Sequence, residues 1–184
     1  EMPKYRKLPR RSEKHPYVSE HVRNDTFYNE DAARDATELL IVEGITDCIS
    51  AWQAGVSCVS PATTRFRRKD YPRLLTLTTK TQRLLICNDS EENGSGEQGA
   101  LEIATTLFQA GRNVRIAAIP RPEGREKIDV NDVVRESGAD ALRDVLGRAL
   151  DLPEYMLHQI AVDSPKAELD RLIAPVAELL REAG

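Results

Sequence analysis

Aromatic residues and cysteines are scarce in this chain of 184 residues. Aromatics make up 5% of it, and the three cysteines are the scattered residues Cys48, Cys58 and Cys87. Without a CxxC pair the sequence predicts neither a disulfide scaffold nor a zinc site, and we expect the thiols to be small buried groups. No apolar run approaches the roughly 20 residues of a membrane span, and no signal peptide opens the chain. We therefore expect an intracellular protein without a membrane segment.

The net charge is small, but it is unevenly distributed. The chain has 26 Lys and Arg against 30 Asp and Glu, which gives a net charge of −4. Residues 1–23 carry +4 and residues 65–83 carry +6, whereas residues 88–99 hold four acids and no base and residues 129–184 carry −6. One charged block is usually a solvated face. The blocks indicate function only if the fold brings them to one site.

Short aliphatic runs alternate with helical patterns along the chain. The predicted strands are 38–43, 56–60, 83–88 and 113–119, and the predicted helices are 46–54, part of 67–80, 100–110, 129–136 and 139–150. This alternation predicts an α/β fold with a parallel sheet of about four strands flanked by helices. We divide the chain into a polar, weakly structured arm over 1–36, a central domain over 37–136 and a small helical subdomain over 137–184. Residues 94–99, rich in glycine, are predicted to form a flexible loop, and Trp52 is predicted to lie in the core.

Acidic side chains follow three of the predicted strands. Glu43 ends the first strand, Asp89 and Glu91 follow the third, and Asp129 and Asp132 follow the fourth and its turn. Ligands of parallel sheets bind at the carboxyl ends of the strands, so we expect these acids to converge. Carboxylates without His or Cys favour Mg²⁺ or Mn²⁺. Asp89 or Asp129 alone would also fit a helix cap, so the metal site is predicted from the whole set.

The same residues carry a resemblance to a known domain. Residues 40–47, 89–91 and 129–132 resemble the Toprim domain, which is shared by bacterial-type primases, topoisomerases and some nucleases. That family has a Glu after its first strand and a DxD motif after its third, and here Glu91 replaces the second Asp of that motif. The resemblance implies a Toprim, Rossmann-like fold.

Within that superfamily the chain is most similar to the catalytic core of bacterial-type replicative primases. Residues 43–47 are similar to the primase EGYMD motif, and residues 3–9 resemble the lysine–tyrosine segment that enters the primase core. Asn131 stands where those primases have an acid. The longer loop after Glu91 is more like that of plasmid, phage or other mobile-element relatives.

The resemblance implies a function and a set of site residues. It implies a nucleotidyltransferase that makes short RNA primers for replication, using nucleoside triphosphates and a single-stranded DNA template. It also implies a location in the bacterial cytoplasm, and a replicative helicase or a fused helicase domain as a further partner. The catalytic residues it implies are Glu43, Asp89 and Glu91, the metal ligands are these three with Asp129 and Asp132, and the supporting residues are Asp47 and Asn131. The basic residues assigned to nucleic acid or nucleotide are Lys4, Arg6, Lys7, Arg65, Arg67, Arg68 and Lys69.

Two alternatives stay open at this point. A Toprim nuclease would use similar acids to hydrolyse phosphodiester bonds, and an inactive Toprim domain would only bind nucleic acid. Glu91 and Asn131, which depart from the family pattern, leave the second alternative open.

Overall fold

A computed structural model describes residues 9, 11–22, 26–62, 65–160 and 165–182. Its elements in chain order are β1 (Phe27–Tyr28), α1 (Glu30–Ala33), β2 (Glu38–Val42), α2 (Ile45–Gln53), β3 (Cys58–Pro61), a 3₁₀ turn (Arg68–Asp70), α3 (Tyr71–Leu77), β4 (Arg83–Cys87), β5 (Ser90–Glu91), α4 (Ser95–Gln109), β6 (Val114–Ile116), β7 (Lys127–Ile128), α5 (Val130–Gly147), β8 (Leu150–Asp151), α6 (Leu152–His158) and α7 (Lys166–Glu182).

The main sheet has a parallel centre and antiparallel edges. Its strand order is β1-β3-β2-β4-β6-β8, in which β3, β2, β4 and β6 run parallel while β1 and β8 pair antiparallel at the two edges. Strands β5 and β7 form a separate antiparallel ribbon of two residues each. The predicted α/β fold with four parallel strands is confirmed, and the ribbon and the edge strands add to it.

Alternating side chains of the central strands point to opposite faces of the sheet, and each face has its own helices. Leu39, Ile41, Leu84 and Ile86 pack with the buried residues of α3, α4 and α6. Leu40, Val42, Leu85 and Cys87 pack with the buried residues of α2 and α5. Both faces are covered, which explains why these strands are continuous aliphatic runs instead of alternating apolar and polar residues.

The segment after residue 136 continues the α/β unit as far as β8. Helix α5 bends at Gly138, where φ is 84°, and its second half brings the fully buried Leu142 onto the α2 face of the sheet. Strand β8 then pairs with β6 through Arg115–Asp151 and Ile116–Leu150. The division at residue 137 stays a prediction. Leu152 and Tyr155 of α6 are buried in the same core as the central strands, so the packing continues past β8.

Three local predictions differ from the structure. Residues 95–99 are the first turns of α4 instead of a flexible loop, because Gly96 lets the helix start pack directly on the main chain of Asp89. Trp52 is 62% exposed, so its assignment to the core is wrong, since the opposite face of α2 carries the buried Cys48 and Ala51. Within the polar arm, residues 27–33 form the edge strand β1 and the short helix α1. The burial of all three cysteines is confirmed.

Candidate active site at the carboxyl edge of the sheet

Three carboxylates from separate elements meet beyond the carboxyl ends of β2 and β4. Asp47, Asp89 and Asp129 each offer an oxygen atom, and these three atoms lie within 4.8 Å of one another. Asp47 is 3% exposed and Asp89 is 7% exposed. We call this group the acidic triad. Asp89 and Asp129 are predicted metal ligands, whereas the sequence predicts only a supporting role for Asp47.

Asp47 is held in place by the start of α5. Its Oδ1 accepts a hydrogen bond from the backbone N–H of Asn131 at 3.0 Å, and the Ser50 hydroxyl donates to the Asn131 side-chain oxygen at 2.8 Å. Burial, with the nearby carboxylates of Asp129 and Asp89, raises the pKa of Asp47 to about 6 although the Asn131 hydrogen bond opposes the shift. Asn131 therefore supports the triad by fixing α2 against α5.

Two glycines leave room for the triad. A Cβ at Gly44 would overlap the Asp47 carboxylate, and a Cβ at Gly96 would overlap the main-chain carbonyl of Asp89. Gly96 requires the absence of a side chain, because α4 approaches the backbone at the end of β4 there. At Gly44 the overlap is with the end of the Asp47 side chain, which an added Cβ would push out of its position. Asn88 adds a tie at the second position, where its Nδ2 donates to the Gly96 carbonyl at 3.2 Å.

Asp129 is both a helix cap and a triad member. Its Oδ1 accepts a hydrogen bond from the backbone N–H of Asp132 at 2.7 Å, which caps α5. The side chain of Asp132 instead pairs with Arg125 at 3.0 Å and with Arg135 at 2.7 Å. The structure thus places Asp132, a predicted metal ligand, among arginines and outside the triad.

Glu43 lies beside the triad at the end of β2. Burial raises the pKa of Glu43 to about 7, and the carboxylate of Asp89 adds to the effect while Lys127 opposes it. Glu43 also borders a cavity of about 250 Å³, whose lining includes Arg65, Tyr71 and Asn88. A carboxyl group with such a pKa exchanges its proton near neutral pH, which suits acid–base chemistry.

Lys127 is a residue of this site that the sequence does not predict. Its ammonium pairs with Asp89, and it pairs with Glu91 at 2.9 Å. Burial lowers the pKa of Lys127, but its hydrogen bonds to Asp89 and Glu91 outweigh burial and leave the pKa above the ordinary value. The pKa of Asp89 is nevertheless raised, because burial and the neighbouring carboxylates of Asp129 and Glu91 outweigh the lysine. The sequence does not indicate that Lys127 lies at this site, because the strand β7 that positions it has only two residues and is too short to be predicted.

The predicted basic residues differ in how they are placed. Arg65 lines the cavity that Glu43 borders, Arg67 pairs with Asp70 at 3.0 Å at the start of the 3₁₀ turn, and Arg68 lies 3.7 Å from Glu102. Lys69 is exposed on the same turn. Lys4, Arg6 and Lys7 lie outside the described residues, so their assignment stays a prediction.

The family comparison identifies the class of protein. The model of the Toprim-like family matches residues 40–134, which is just over half of the chain. The chain therefore belongs to the Toprim-like family. The matched range contains Glu43 and the whole acidic triad.

Relatives narrow the similarity to primases. The chain is 30% identical over 154 residues to the DNA primase of Pseudomonas aeruginosa, covering 79% of this chain and 22% of the relative. It is 26% identical over 152 residues to the DNA primase of Halalkalibacterium halodurans, covering 82% of this chain and 24% of the relative. The chain thus spans roughly a quarter of the length of these relatives.

Solved structures show the same fold. The catalytic domain of a DnaG primase bound to single-stranded DNA superposes with a TM-score of 0.64 at 20% identity, covering 88% of this chain and 53% of that one. The RNA polymerase domain of the Mycobacterium tuberculosis primase DnaG superposes with a TM-score of 0.59 at 25% identity, covering 83% and 48%. The chain is therefore a Toprim domain like the catalytic core of DnaG-type primases.

Among its described helices, none has the length and apolar character that crossing a membrane requires.

Proposed function

We propose that this chain forms the catalytic Toprim core of a DNA primase, which joins nucleoside triphosphates into short RNA primers on a single-stranded DNA template. The observation that carries the proposal is the acidic triad, in which three carboxylates from three elements lie within 4.8 Å at the carboxyl edge of the sheet. The two relatives named above as DNA primases support the reaction type. Such an enzyme works on replicating DNA, so we place it in the bacterial cytoplasm.

The donor set of the triad fits Mg²⁺ or Mn²⁺. It offers only carboxylate oxygens, and burial of Asp47 and Asp89 beside like charges leaves a surplus of negative charge that a small hard cation would neutralise. A divalent ion bound there supplies charge neutralisation for the phosphoryl group under attack.

The other residues have roles that follow from their positions. Glu43 accepts the proton of the attacking hydroxyl group, because its pKa of about 7 leaves part of the population deprotonated at neutral pH. Arg65 and Lys69, on the same edge of the sheet, bind phosphates of the template or nucleotide without reading sequence. We propose a replicative helicase as a further partner, either as a separate protein or as a fused domain.

Primer synthesis on single-stranded DNA tests this proposal. We would incubate the chain with template, labelled nucleoside triphosphates and Mg²⁺ or Mn²⁺, and separate the products on a denaturing gel. We expect primers from the wild type and from Asp140→Asn, a matched change at an exposed acid, and none from Glu43→Gln or Asp89→Asn. Primer synthesis that persists in both site variants would contradict the proposal. Degradation of the template without synthesis would favour a Toprim nuclease, and template binding without either activity would favour a binding module.

A further inference from the structure

The position of Lys127 is set by the backbone. Strands β5 and β7 pair so that Lys127 stands directly opposite Glu91 and Ile128 opposite Ser90. The ribbon is extended by the hydrogen bond from the Glu92 N–H to the Glu126 carbonyl at 3.0 Å. Because directly opposed residues of an antiparallel pair lie side by side, the lysine is held at the acidic residues by its register.

Both oxygen atoms of Glu91 are already engaged. Its Oε1 accepts a hydrogen bond from the Lys127 ammonium at 2.9 Å, and its Oε2 accepts one from the Ser95 hydroxyl. Ser95 is the first residue of α4, so Glu91 is tied to the ribbon on one side and to the helix on the other. Each oxygen atom of Glu91 therefore already has a hydrogen-bond donor, and a cation bound at Oε1 would compete with the Lys127 ammonium for it.

The same ammonium also pairs with Asp89, which belongs to the acidic triad. Lys127 thus joins the triad to Glu91 and lies where a cation shared by Asp89 and Glu91 would have to lie. A divalent ion at that point would displace the lysine or meet the repulsion of its fixed positive charge.

We propose that the Lys127 ammonium takes the place of a second divalent cation, so that the chain binds one divalent ion, at the acidic triad. Resting on the proposed function, this inference assigns Lys127 as the positive charge that Asp89 and Glu91 present to a substrate phosphate. Two-metal sites place positive charge on both sides of the phosphoryl group under attack, and a lysine supplies such a charge at one of them. Lys127 suits this role because its side chain remains 47% exposed while it is paired.

Counting bound Mn²⁺ tests the inference without any activity assay. We would titrate the chain with Mn²⁺, read free Mn²⁺ by electron paramagnetic resonance and confirm the number of sites by calorimetry. We expect one ion for the wild type and for Lys127→Arg, which keeps the charge. We expect two ions for Lys127→Met, which keeps the aliphatic stem but frees Asp89 and Glu91. Adding Glu91→Gln to Lys127→Met should return the count to one.

The wild-type count decides the matter even if a variant fails to fold. Two ions bound to the wild type would overturn the role of Lys127 and leave the proposed metal-dependent function standing. One ion bound to a Lys127→Met variant with the wild-type circular dichroism spectrum would also overturn it. Absence of Mn²⁺ binding in every variant would overturn the metal site of the proposed function itself and this inference with it.

Discussion

Replacing Glu43 by Gln is expected to stabilise the metal-free protein at neutral pH while it removes the proposed proton acceptor. Burial, followed by the charge of Asp89, raises the pKa of Glu43 from 4.5 to about 7. A carboxyl group whose pKa is higher in the folded state than in the unfolded state destabilises the folded state once it is ionised. This penalty is absent below pH 4.5, grows as the pH rises to about 7, and is constant above that.

The size of the effect follows from the shift. At about 1.4 kcal/mol for each pKa unit, a rise from 4.5 to about 7 corresponds to at most about 3.5 kcal/mol. Glu43 is only partly buried, so solvent screening reduces the expected gain of Glu43→Gln at pH 8 to about 1–2 kcal/mol. For a chain of this length each kcal/mol raises Tm by about 2–4 °C.

Urea unfolding in the presence of EDTA measures this prediction. The free energy of unfolding of the wild type and of Glu43→Gln would be followed by circular dichroism at several values between about pH 4 and pH 8. We expect the two curves to separate as the pH rises, with the variant the more stable. Glu123→Gln, a change at an exposed acid in the turn after β6, serves as the control and should leave the curve unchanged. Parallel curves for Glu43→Gln and the wild type would refute the conclusion that the ionised Glu43 carboxylate destabilises the folded state.

Two further predictions concern the packing of α4 and the basic turn. Gly96→Ala should lower the free energy of unfolding by more than about 2 kcal/mol, because the added Cβ would overlap the Asp89 carbonyl. Gly147→Ala is the control, since the space around Gly147 is open, and it should change stability by less than about 1 kcal/mol. Equal chemical-denaturation midpoints for the two variants would contradict this prediction. Lys69→Ala should weaken single-stranded DNA binding and reduce the magnitude of the slope of log K against log salt by about 0.7. Lys80→Ala, which removes the partner of Asp35, should change neither quantity. Fluorescence anisotropy at several salt concentrations measures both variants.

The sheet could be predicted because its strands carry an unambiguous local signal. Residues 38–42 and 83–87 are aliphatic runs of strand length, and burial on both faces is the reason they are continuous. The start of α4 could not be predicted in this way, since glycine disfavours helices and Gly96 is needed there only because of its contact with Asp89. That contact is tertiary and leaves no periodic pattern in the sequence.

Only part of the site could be predicted, namely the residues that directly follow recognisable strands. The rule that ligands gather at strand ends brings Asp89 and Asp129 to one edge, as the structure shows. The inclusion of Asp47 depends on its hydrogen bond from the Asn131 N–H at the start of α5, a tertiary contact that leaves no pattern in the sequence. The contact of Lys127 with Glu91 depends on a ribbon of two residues per strand, which carries too little sequence to be recognised.

Calorimetric titration with Mn²⁺ tests the central claim, that the acidic triad holds a divalent cation. We expect Asp47→Asn, Asp89→Asn and Asp129→Asn each to weaken binding at least about tenfold, and Asp140→Asn to bind as the wild type does. Asp129→Asn is the most informative variant, because Asn caps helices as well as Asp does and so removes a ligand charge while preserving the start of α5. Wild-type affinity in all three triad variants would contradict the account.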